Sequence, residues 1–246
     1  MKQAPDGGKQ AAGHISDTQM LCSIAEQLKA PLMYLARQAE IAQQLDMAEG
    51  KASFKSMQTH ADMALRLVDS YLLGLDLSNK QASLELEPVP IAAALYDVAH
   101  DLTPIAKQRN TDIELVLAGR YGQVMAHPAG LQAALYGLGF VLSEVVHPEK
   151  IRNTLRIAAH RTKGGIVAGL YIDGPADIQT SIAARMISEN IGMRQPFTNL
   201  TANSGAGVFV ANTIFDAMDT KLRVGRFKNQ QGLAATLRPS RQLQLV

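Results

Sequence analysis

The chain has 246 residues, 47% of them hydrophobic, which is enough for one large domain or two modest ones with a real core. Its 24 basic and 22 acidic residues leave a net charge of +2 with no basic block, so composition offers no electrostatic footprint for nucleic acid. Cys22 is the single cysteine, which excludes an internal disulfide and a thiolate metal cluster and reads as a small helix hydrophobe.

The amino terminus, MKQAPDGGKQAAGH, lacks the apolar core of a signal peptide, and no apolar run approaches the roughly 18 residues that span a bilayer. The expectation is a soluble, cytoplasmic protein without membrane contact, with residues 1–17 as a flexible tail. Residues 18–83 form the first predicted domain. Leu21, Ala25, Leu28, Leu32, Leu35, Ala39 and Ala42 step alternately by four and three, which is a heptad seam. Glu49-Gly50 reads as a turn, after which Phe54, Met57, Ala61, Ala64, Val68, Tyr71 and Leu75 continue the spacing. Two long helices make an antiparallel hairpin, and a lone hairpin buries one side of each seam, so a homodimeric four-helix bundle is expected. Within the first helix, EQLKAPL holds Pro31, which costs roughly 3 kcal/mol in a helix interior.

Beyond Leu84 the texture changes, and Pro88 and Pro90 punctuate a domain boundary. Ile91 to Lys107 is helical in pattern, Asp112 to Leu117 alternates as a strand, and Pro128 to Val146 is helical again. Thr154 to His160 and Ile166 to Ile172 read as a hairpin around Arg161-Thr162-Lys163-Gly164-Gly165. Ile178 to Ile191 and Val208 to Met218 are helical, and Lys221 to Phe227 and Leu233 to Leu237 form a last hairpin. The predicted fold class is α+β: a helical hairpin, then an α/β sandwich over 84–246 with helices on one face of a mixed sheet.

EQLKAPL is similar to the phosphoacceptor motif H-E-L-R-T-P-L of sensor histidine kinases, with Pro31 in the proline position and Glu26 in place of the histidine. Leu72-Leu73-Gly74-Leu75-Asp76-Leu77-Ser78 resembles the end of that family's second helix, and Leu84-Glu85-Leu86-Glu87-Pro88-Val89 the linker into its ATP-binding domain. The chain therefore resembles the transmitter core of a sensor histidine kinase. Leu21-Cys22-Ser23 adds a distant likeness to a bacterial histidine phosphotransfer protein of the same plan. The resemblance implies that Pro31 sits at the bend after the phosphoacceptor. Glu26 lacks the imidazole nitrogen that makes a phosphoramidate. His60 stands alone on the second helix, as an exposed or flank residue or as a substitute acceptor.

The resemblance also locates the nucleotide motifs. Gly137 and Val141, in Gly137-Leu138-Gly139-Phe140-Val141-Leu142, occupy the two asparagine positions that help hold Mg²⁺ in the family, and neither side chain has an oxygen for a hard cation. Glu144 is three residues further on. Asp173-Gly174-Pro175-Ala176-Asp177 keeps the aspartate and one glycine of the adenine-binding D-x-G-x-G, in a pattern shared with ordinary turns. Gly205-Ala206-Gly207-Val208-Phe209 keeps two glycines of G-x-G-L-G, with Phe209 at the third. Gly192 to Ser204 corresponds to the family's mobile lid. Asp173, Gly174, Gly205 and Gly207 are thus vestiges of a nucleotide site, with no catalytic residue and no metal ligand. The expected function is a catalytically degenerate homodimer in two-component signalling that binds a response regulator or a histidine kinase around Glu26 and Lys29 and uses no cofactor. The alternative is a weak ATP-binding kinase or phosphotransfer protein that uses ATP and Mg²⁺ and a non-standard acceptor such as His60.

Overall fold

A computed structural model describes residue 28 and residues 31–42, 47–78, 83–117, 119, 121–145, 153–172 and 205–240. Helix α1 (31–42) precedes α2 (Met47–Ser78), β1 (Glu87–Pro90), α3 (Ile91–Gln108), β2 (Thr111–Leu117), β3 (Gln123–Ala126) and α4 (Pro128–Val145). The hairpin β4 (Asn153–Thr162) and β5 (Gly165–Ile172), the helix α5 (Gly205–Ala217), and the hairpin β6 (Leu222–Phe227) and β7 (Gln230–Leu237) follow. The fold is α+β. Five strands form a sheet ordered β2-β4-β5-β7-β6, parallel between β2 and β4 and antiparallel elsewhere, and β1 pairs with β3 in a small second sheet.

One face of the five-stranded sheet carries Leu155, Ile157, Ala168, Leu170, Leu233 and Ala235 into a core shared with α3, α4 and α5. Successive strand residues point to opposite faces, so the intervening Ala158, Val167, Tyr171 and Ala234 form a smaller cluster on the other side, flanked by Val116 and Phe227. All eight residues of β5 are buried, as expected of a central strand whose run GIVAGLYI is apolar without alternation.

Several sequence boundaries move. Glu49-Gly50, expected as a turn, lies inside α2, which runs from Met47. Both boundary prolines belong to β1, where Pro88 and Pro90 pair with Met125 and Gln123 at the margin of a two-stranded sheet that needs few of their missing donors. The β4–β5 loop shrinks to Lys163-Gly164 because Gly165, at φ 142°, turns the chain tightly; a Cβ there would strike the Leu237 carbonyl oxygen. The β6–β7 loop shrinks likewise to Lys228-Asn229, with Lys228 in the left-handed region at φ 53°. The predicted helix from Ile178 to Ile191 lies outside the described residues.

Helix α2 does more than complete a hairpin. Met63, Leu67 and Tyr71 join the core cluster of the sheet domain, and each of Met63 and Leu67 contributes roughly 1.5–3 kcal/mol by burial. The expectation of an exposed or flanking His60 is corrected. The residue is 3% exposed, and its ring stacks on Tyr34 of α1 at 3.7 Å and sets Nε2 2.9 Å from Gln108 Oε1 of α3.

Candidate functional site

The positions that would hold a nucleotide converge where α4 meets α5. Gly205 opens α5 and Gly207 lies in its first turn, so the glycine pair expected in a loop is helical. Gly207 is buried against α4: a Cβ added to it would lie 2.7 Å from Val141 Cγ2 and 3.4 Å from the Gly137 carbonyl oxygen. A Cβ on Gly137 would in turn stand 3.8 Å from the Gly207 carbonyl oxygen. Gly137 and Val141 therefore face Gly207, and a glycine-to-valine helix contact stands between the two elements. Phe209 is half-buried against the main core, which gives its ring a packing role. On α4, Gly139 faces the other way, towards Leu102 and Leu170, so helix and sheet close on that side as well.

The Gly137 and Val141 side chains do not fit the role of Mg²⁺ ligands, since neither supplies an oxygen for a hard cation, and Val141 packs closely on Gly207. Asp173, Gly174, Glu26 and Lys29, the other residues singled out from the sequence, lie outside the described residues, as does the side chain of Glu144. Pro31, by contrast, is described, helical and buried. The expected lid falls outside the description too.

A second constellation, without a sequence motif, joins the hairpin to the sheet domain. Arg66 of α2 donates to Asp101 Oδ2 of α3, and Gln132 of α4 donates to the same oxygen at 3.2 Å. His100 Nδ1 lies 3.6 Å from the other Asp101 oxygen, and the Arg66 guanidinium sits 5.8 Å from the centroid of the Tyr136 ring. Burial holds the Tyr136 hydroxyl far above the usual phenol range; Arg66 opposes this and Asp101 adds to it. Beside this network a groove of about 320 Å³ runs between Arg66, Asp69 and Leu73 of α2 and Ala129, Gln132 and Tyr136 of α4. Sequence reasoning missed these residues. Their one signal was helical spacing, with Ala129, Gln132, Ala133 and Tyr136 stepping by three and four on one face of α4.

On the sheet face opposite the helices, the Tyr171 ring lies against Gly169 and Gly225, and its centroid is 5.4 Å from that of Phe227. Burial pushes the Tyr171 hydroxyl up to about 12, partly offset by the nearby Arg223, and Oη has no hydrogen-bond partner among the described residues. His160 also packs on Phe227, at 5.7 Å; burial and then Arg223 hold its imidazole below the ordinary value. Among the described residues, no group of three or more His, Cys, Asp or Glu is placed to hold a metal ion.

No family model matches this sequence, and no curated protein matches it by sequence. Solved structures do match in three dimensions. The histidine kinase AdeS of Acinetobacter baumannii superposes with a TM-score of 0.52 at 15% identity, over 86% of this chain and 96% of that one. Full-length ShkA, solved in complex with AMPPNP, superposes with a TM-score of 0.53 at 16% identity; it covers 97% of this chain, which spans about half of ShkA at 47%. At these identities the likeness concerns architecture, and the chain has a histidine-kinase-like fold.

Proposed function

We propose that this chain is a catalytically degenerate relative of sensor histidine kinases, a homodimeric adaptor or regulator in two-component signalling that acts on a response regulator or a histidine kinase. One observation carries the reading: Val141 packs on Gly207 where the resembling family holds metal and phosphate, on a framework that is otherwise kept. Metal-assisted phosphoryl transfer needs a charge neutraliser at that point, and Gly137 and Val141 have none to offer. Glu26 and Lys29 are proposed to meet the partner, since response regulators dock beside the phosphoacceptor position in the resembling family. The rival reading, phosphotransfer through His60, draws no support from a ring stacked on Tyr34 with Nε2 beside Gln108.

The exposed apolar residues of the hairpin support the dimer. Phe54, Leu65 and Leu72 of α2 are 63%, 61% and 54% exposed, and Leu65 and Leu72 stand one heptad apart. Leu32, Met33 and Ile41 extend the apolar surface along α1, as expected of a half-bundle. Among the described residues no helix is long and apolar enough to cross a membrane, and a cytoplasmic location is part of the proposal.

Calorimetric titration of the full chain with ATP, with and without Mg²⁺, tests the reading directly. The expected result is no binding heat in either titration. Mg²⁺-dependent micromolar binding would overturn the degenerate reading and redirect the work to a phosphoacceptor.

A further inference from the structure

The near-neutral net charge hides a strong asymmetry that the sheet topology assembles. Residues 153–172 and 218–240 hold eight of the 24 basic residues and one of the 22 acidic ones, Asp219, leaving 16 basic against 21 acidic elsewhere. In the fold, β6 is the edge of the sheet, and among the described residues it pairs with β7 alone. Lys221, Arg223, Arg226 and Lys228, all exposed, run along that edge in eight residues, with no acidic residue among them.

We propose that the β6 edge takes an acidic, extended segment of a partner protein as an added strand. The free side of an edge strand presents N–H and C=O groups at the spacing another strand needs, which supplies affinity without regard to sequence. Specificity comes from the side chains. Arg223 and Arg226, three apart on a period-two strand, point to opposite faces and are exposed, so the edge carries positive charge on each face, with Arg223 also donating to Thr236 Oγ1 of β7. Val224, 44% exposed, offers an apolar contact on the Arg226 side.

The same features decide against other occupants. A second copy presenting its own β6 would set arginine and lysine against arginine and lysine, the usual device that keeps sheet edges apart. Single-stranded nucleic acid is bound on sheets by exposed aromatic rings. Here Tyr171 is fully buried, and Phe227 is half-buried, with Lys228 Nζ 5.8 Å from its ring centroid. This inference does not rest on the signalling role proposed above, because it uses neither the α4–α5 contact nor the hairpin.

The test is fluorescence anisotropy of the full chain with a labelled decapeptide of repeated Glu-Glu-Val, which puts glutamate on both faces of a strand. Three comparisons accompany it: the same peptide N-methylated at alternate amides, an oligouridine of equal charge, and the charge-reversal variants R223E/R226E and K221E/K228E. Lys221 and Lys228 are exposed, and thermal melts establish that both variants fold. The expected result is saturable binding of the plain peptide, weakened about tenfold or more by either variant, by N-methylation and by raising salt well above physiological strength. Equal binding of the N-methylated peptide would overturn strand addition. Tighter binding of oligouridine would overturn the choice of partner, and no peptide binding, or variants that bind as well as wild type, would overturn the proposal as a whole.

Discussion

A methyl group on Gly207 would sit 2.7 Å from Val141 Cγ2, closer than van der Waals contact permits, and Val141 has little freedom to retreat. A valine in a helix holds one side-chain rotamer almost exclusively, so relief would need α5 to shift bodily. Two effects then compete in Gly207→Ala. Replacing a helical glycine gains up to about 1 kcal/mol, less in a first turn, while overpacking a filled contact costs roughly 1–3 kcal/mol. The clash wins. Gly207→Ala is expected to lower stability by about 1 kcal/mol, and Val141→Ala in the same chain to recover that loss, leaving a coupling of about 1 kcal/mol in a double-mutant cycle. Urea midpoints of the four proteins measure it; additive effects would mean that the two helices do not bear on each other here. A glycine with this role looks the same in sequence as one that cradles phosphate. The G-x-G spacing was legible, but its purpose depended on what faced it.

Among the elements, β5 shows where a one-dimensional pattern runs out. Its apolar run identified a strand, yet two buried faces and one look alike in a sequence of eight residues until the neighbouring strands are placed. Gly169, Gly225 and Ala234, on three strands, leave the hollow in which the Tyr171 ring lies, and no local spacing links them. The described helices and all five strands of the larger sheet were legible because each is long enough to show its period. The four-residue β1 and β3 were too short, and two prolines argued against β1. The buried Tyr171 hydroxyl makes the second face measurable. Its raised pKa means that the folded chain keeps a proton which the unfolded chain releases near pH 10, so stability is retained below that value and falls as pH climbs towards about 12. Tyr171→Phe removes an oxygen without a partner among the described residues and is expected to match or exceed wild-type stability at neutral pH, by up to about 1 kcal/mol. Chemical denaturation in steps from pH 9 to 12 should show the wild type losing its stability relative to the variant. Parallel curves would place that hydroxyl in water.

For the whole molecule the decisive element is α2, because one helix serves two bodies. Its heptad spacing announced the hairpin, but the same helix carries a second stripe, His60, Met63, Leu67, Ser70, Tyr71 and Gly74, that is buried on the sheet domain. The stripes overlap at Tyr71, which is why periodicity alone assigned the helix to a separate domain ending near residue 83. Leu67 is 1% exposed within the core cluster, and Arg66 adds an ion pair to Asp101; Arg66 is half-exposed, so that pair is worth at most about 1 kcal/mol. Packing, then, holds the hairpin to the domain. Leu67→Ala should cost about 2–5 kcal/mol, against at most about 1 kcal/mol for breaking the Arg66–Asp101 pair. If α2 belongs to both cores, scanning calorimetry of the full chain gives one endotherm, and Leu67→Ala moves that whole endotherm to lower temperature without splitting it. Two endotherms in the wild type, or a variant in which only one part melts early, would mean that the hairpin and the sheet domain unfold independently. A single transition would make the exposed apolar residues of α2 and the α4–α5 contact parts of one cooperative unit.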